Sequence, residues 1–191
     1  MPTVTNLTQT QVDKIQIDEG VVYINYGETD EEKLGPTRGG GEFTATQTIR
    51  DIEFDGRVGK TAGMQVIEGQ EAVLKLNCLC CSNGMIKRVL PGCVVTEAAQ
   101  SAPEKISNAR AGVLKNEASD TVYLKNVTMF AKLMDGSYKK ISLKNAMHEA
   151  GFTIKAVQKA ENELAMEFYA HYDIENLNGE LYSIEEVASL S

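Results

Sequence analysis

The chain of 191 residues has no tryptophan, two histidines, four prolines and no long apolar run. Each shortage excludes something. Without eighteen consecutive apolar residues, no transmembrane helix and no membrane insertion by this chain are expected. The N-terminus, MPTVTNLTQTQVDK, lacks the apolar stretch of a secretory signal peptide, which points to synthesis and folding in a cytosol. There Cys78, Cys80, Cys81 and Cys93 are expected to remain thiols. Their C-x-C-C pattern does not match structural zinc spacings, so they read as small hydrophobes and no metal or other cofactor is expected. The net charge of −8 argues against a nucleic-acid grip, which needs a basic patch.

What is present is mostly extended. The length fits one domain over residues 1–191. Residues 1–14 read as a polar arm. Ile15, Ile17 and Val21 to Ile24 read as two short strands around the acidic turn Asp18-Glu19-Gly20. Residues 27–41 read as one long loop, since Pro36, Gly39, Gly40 and Gly41 break helices and strands. Arg38 sits among them. From Glu42 to Phe54 the chain is rich in Thr, Ile and Phe, a strand composition. Its apolar residues change phase near Arg50-Asp51, which fits either a bulge or bend there or burial on both faces in different halves of the strand.

Ala72, Leu74, Leu76, Cys78 and Cys80 alternate as a half-buried strand. Ser82 is positioned to cap a short helix in NGMIKRVLPG, with Met85, Ile86, Val89 and Leu90 on one face. Cys93 to Thr96 reads as a short strand, and 97–108 as loop. Asp135-Gly136 between two extended runs is a strong hairpin signal. Asn145 to Ala150 reads as one helical turn, Phe152 to Gln158 as a strand. In ELAMEFYAHYD, Leu164, Met166, Phe168, Ala170 and Tyr172 face inward by period two. The tail, 176–191, has room for an edge strand. About eight to ten strands with one flanking helix make the fold class mainly β, an antiparallel sandwich or barrel.

No catalytic constellation emerges. Gly56 to Thr61 ends in GKT, but a P-loop needs a glycine where Phe54 stands and a long helix after it. A charged hairpin tip explains it better. His148 and His171 have no nucleophile marked beside them and read as surface or interface residues. An enzyme is not expected. Asp51 and Glu53 share a strand face and read as a solvated acidic face.

The segments GPTRGGGEFTATQTIRDIEFDG, AVLKLNCLC, YLKNVTMFAKLMDGSYKKISLKNA and ELAMEFYAHYD resemble the major tail protein, or tail tube protein, of long non-contractile-tailed phages of Gram-positive bacteria. The resemblance covers about residues 20–175. It implies a sandwich-like tail-tube domain, made in the host cytoplasm and built into the virion tail. It implies homo-hexameric rings stacked into a tube, other tail proteins at the tube ends, and DNA only as transient cargo in the lumen. Assembly contacts are then expected at Pro36, Arg38, Gly39, Gly40, Gly41, Asp135 and Gly136. Lumen-lining strands are expected at 42–54 and 121–143, with acidic candidates Glu53, Asp55, Glu68 and Glu71. Like charge would keep phosphates from sticking within a Debye length, about 8 Å at physiological salt. The inner tube of a contractile tail or tail-derived particle, and a β-sandwich binding module on a virion, are the alternatives.

Overall fold

Period-two apolar patterning and two hairpins, both closed by turns that need glycine, generate the architecture. The computed structural model describes residues 8–79, 82–99, 102–107, 112, 114, 122–154 and 161–190, with Asp18 and Glu19 described by their backbone alone. In chain order the elements are α1 (Gln9–Asp13), β1 (Gln16–Ile24), β2 (Glu32–Lys33), β3 (Thr37–Asp51), β4 (Gln65–Cys78), α2 (Asn83–Arg88), β5 (Val94–Thr96), β6 (Lys105–Ser107), β7 (Leu124–Leu133), β8 (Tyr138–His148), β9 (Leu164–Tyr169) and β10 (Tyr182–Val187). The fold is mainly antiparallel β, arranged as a sandwich.

The first sheet runs β2-β1-β7-β8, with β10 on the other edge of β8. The second runs β3-β4-β9 and meets the end of β8. β8 therefore serves both sheets. It pairs with β7 as far as Ala146, then with β9 at Met147 and His148. Asn145 takes a positive φ of 45° at this crossing, a conformation that asparagine tolerates better than most residues.

Between the sheets lie Ile24, Val127, Met129 and Leu143 from one side and Leu74, Leu76, Met166 and Phe168 from the other. Burying each such side chain stabilises by about 1.5–3 kcal/mol relative to exposure. Helix α2 packs on this cluster through Met85 and Val89. The Ser82 hydroxyl accepts from the Met85 N–H at 3.3 Å. Lys87 and Arg88 sit in the last turn and pair with Glu104 and Glu32.

Several expectations need correction. The loop expected at 27–41 is broken up: Glu32–Lys33 pairs with β1, and 37–41 belong to β3. Gly39 and Gly40 can sit in a strand because they form a bulge. Both have positive φ (78° and 74°), and the register with β4 jumps between Arg38 and Gly41. Gly41 has a different reason: a Cβ there would come 2.5 Å from the Met129 Sδ, where β3 crosses the first sheet. Residues 16–24 form one strand, β1, with an irregularity between Ile17 and Gly20, in place of the two strands expected from Ile15 onward. Residues 145–148 continue β8 and are not helical, because pairing with β7 and β9 outcompetes a lone helical turn. Lys105–Ser107, expected as loop, pairs with β5. Residues 152–154 form no strand. The expectations for residues 1–7, Cys80, Cys81 and 155–158 lie outside the described residues.

Candidate functional site

The exposed part of the β3–β4 hairpin is the candidate site. β9 stops at Tyr169, opposite Val73. Before Val73, β4 has only β3 as a strand partner among the described residues, so Ala45–Asp51 and Gln65–Ala72 form a two-stranded ribbon. At about 3.3 Å per residue, the β3 half of this ribbon is about 20 Å long. From Thr44 to Arg50 every residue of β3 is exposed, as is β4 from Gln65 to Glu71. One ribbon face carries Ala45, Gln47 and Ile49, continuing the line of Phe43 out of the core; the other carries Thr44, Thr46, Thr48 and Arg50.

Sequence accounts for this boundary. Inside the body the strands read Val73-Leu74-Lys75-Leu76, apolar on the core side. Outside, Glu68-Gly69-Gln70-Glu71 faces Thr46-Gln47-Thr48, polar on both sides. A stretch without an apolar face cannot enter a core. Further out apolar residues return. Ile49 and Ile67 sit opposite each other, 56% and 50% exposed, and Phe54 and Val58 at the tip are exposed too. The register irregularity falls between Thr48 and Ile49, where Glu68 of β4 is the extra residue. The discontinuity expected near Arg50-Asp51 thus lies slightly earlier and on the partner strand.

Residues 52–64 form the tip, folded around Asp51. Its carboxylate accepts from Gln65 at 3.0 Å and pairs with Arg57 at 3.0 Å. The Gln65 hydrogen bond, then Arg57, holds this carboxyl below the usual range. Arg57 also donates to the carbonyls of Gly59 (2.7 Å) and Ile52 (3.3 Å). Gly56 to Thr61 therefore belongs to a charged hairpin tip, which is the reading the sequence favoured over a P-loop.

The acidic residues expected to face a lumen all fall on this one element. Glu53 and Asp55 are exposed in the tip; Glu68 and Glu71 are exposed on β4. Glu68 is paired with Arg50, so it contributes little net field. The residues expected at an assembly interface are split between two places. Pro36 is exposed, and its carbonyl accepts from the Leu79 N–H at 2.8 Å. Arg38 is bound to Glu161 and Glu163 at 3.0 and 2.9 Å. Asp135 and Gly136 form the β7–β8 turn of the other sheet. The Asp135 carboxyl falls to about 2 because the Ser137 hydroxyl and N–H donate to it, with Lys14 adding at 3.2 Å. Lys14 also binds Glu186 at 2.7 Å, tying the N-terminal segment to β10.

His148 corrects the surface reading. It is buried, accepts from the Glu167 N–H at Nδ1 (2.9 Å) and donates from Nε2 to the Gly151 carbonyl (2.8 Å). A small strand-end polar residue between two backbone partners leaves no sequence motif. His171 is half-buried, with Nε2 3.0 Å from Glu149 and Nδ1 3.1 Å from the Asn145 carbonyl. Cys78 is buried and Cys93 half-buried. Among the described residues no group of three or more His, Cys, Asp or Glu is placed to hold a metal.

The sequence reading missed Ile49, Val66 and Ile67 as exposed apolar residues on a projecting element. The signal was the EGQE stretch opposite TQT, polar on both faces. Comparison with known protein families and with curated proteins finds no match to this chain.

Proposed function

We propose that the chain is a self-assembling structural subunit of the tail-tube type, forming homo-hexameric rings stacked into a conduit for DNA. The observation that carries this reading is the β3–β4 ribbon. It extends past the sandwich, exposes both faces, and bears Ile49, Val66 and Ile67, with Phe54 at its tip, without a covering layer among the described residues. Isolated two-stranded ribbons are marginal in water, so a second chain is the natural source of that layer. The resemblance of the sequence to tail tube proteins supplies the kind of assembly. Glu53 and Asp55 on the tip and Glu71 on the ribbon suit a wall that DNA passes without adhering.

This reading moves the principal contact from the glycine stretch to the ribbon. The glycines shape β3 within the body; the ribbon is what a neighbour can reach. Sedimentation velocity over a concentration series tests the proposal. Growth from monomer toward a hexamer and larger stacks is expected. A monomer at every concentration and salt, even with tail-initiating proteins added, would overturn it.

A further inference from the structure

The outer edge of β3 is unusual in being long and unguarded. From Gly41 to Asp51 the strand is unbroken, because the one irregularity there is carried by the extra Glu68 on β4. It contains no proline, its only strand partner among the described residues is β4, and Thr44 to Arg50 are exposed. Such an edge is a template for another strand unless charge or shape blocks it.

Its sequence is also self-complementary. Taken antiparallel to itself about Thr46, EFTATQTIR brings Glu42 opposite Arg50, Phe43 opposite Ile49 and Thr44 opposite Thr48. Each pair shares a face, since both partners have the same parity. The charges match twice, once on either side of the centre, with Arg50 exchanging its own Glu68 for Glu42 of the other copy. On the other face, Ile49 of one copy would lie beside Phe43 of the other, which already packs against Tyr182 at 5.2 Å between ring centroids. Two ribbons would become one four-stranded sheet, past the two-stranded size that is marginal in water, with Phe43 and Ile49 supplying apolar contacts on one face.

We propose that β3 pairs edge to edge and antiparallel with β3 of a second copy of this chain, centred on Thr46. The contact is isologous: both copies use the same patch and the pairing closes on itself. It rests on β3 alone. A consequence for assembly rests on the tube reading. A twofold ribbon pair cannot be part of a head-to-tail ring, so the dimer holds the ribbon back until a growing tube displaces it.

The test uses sedimentation of the full chain and two exposed charge reversals, Glu42→Arg and Arg50→Glu, both made in a chain carrying Glu68→Gln so that neither reversal creates a repulsion with Glu68 inside its own ribbon. Each variant alone turns two attractive pairs into two repulsive ones and is expected to self-associate about tenfold more weakly. Mixed in equal amounts, the two variants regain opposite charges at both pairs and are expected to form a heterodimer. Thr46→Cys should oxidise to a linked dimer above the background set by the native cysteines, because residue 46 lies opposite its own copy; Thr48→Cys alone should not. Variants that dimerise as well as the native chain, or a mixture that stays monomeric, would overturn the proposal. Dimers without rings would leave this pairing standing and remove the tube reading. Rings without dimers would do the reverse.

Discussion

Gly39, Gly40 and Gly41 sit side by side for two different reasons. The first two need a left-handed backbone to make the bulge; the third needs room for Met129. Gly40→Ala is expected to cost about 1–2 kcal/mol through its positive φ, measured by urea unfolding. Gly41→Val should also destabilise, by crowding Met129, and Met129→Ala in the same chain should recover part of that loss. Asp135 makes a second prediction. Its carboxyl is depressed to about 2, so the stabilisation tied to its ionised form is present above the ordinary carboxylate range and is lost as pH falls toward 2. Ser137→Ala removes the largest cause and should bring the Asp135 titration, followed by carboxyl NMR, back toward ordinary values.

At the scale of elements, the body and the ribbon obey different rules. Phe168 is fully buried between the sheets, and Phe168→Ala is expected to cost about 3–5 kcal/mol by thermal or urea unfolding. The ribbon should be dispensable to the body. Replacing residues 48–69 by Asn-Gly would close Gln47 onto Gln70, an existing opposite pair, with a turn that favours this dipeptide. The variant should keep the circular dichroism of a folded β protein and lose assembly. Deleting 36–41 should instead act on the body. It removes the start of β3 and its pairing with Leu76 to Cys78, so loss of the fold is expected.

The sequence made the period-two strands legible, because Leu74, Leu76, Leu164, Met166 and Phe168 repeat their burial in their spacing. The Asp135-Gly136 turn and the Ser82 cap were legible for the same local reason. The glycine stretch was not. Composition marks where a chain can bend, and only pairing with β4 decides that it bends as a bulge. The start of β8's last four residues was hidden likewise, since two neighbouring strands, absent from any local window, hold them extended.

For the whole molecule, the decisive contrast is between a filled core and an uncovered ribbon. The core of the sandwich is filled by fully buried side chains such as Ile24, Leu74, Leu143 and Phe168. The ribbon carries Ile49, Ile67 and Phe54 into solvent beyond it. A subunit of a ring has that division of labour, with a body that folds alone and an arm completed by its neighbour. Electron microscopy of the purified chain at high concentration, beside the chain shortened at 48–69, measures this most directly. The account predicts class averages of six-fold rings or stacked tubes from the native chain and isolated particles from the shortened one. Isolated particles from both, or rings from both, would contradict it.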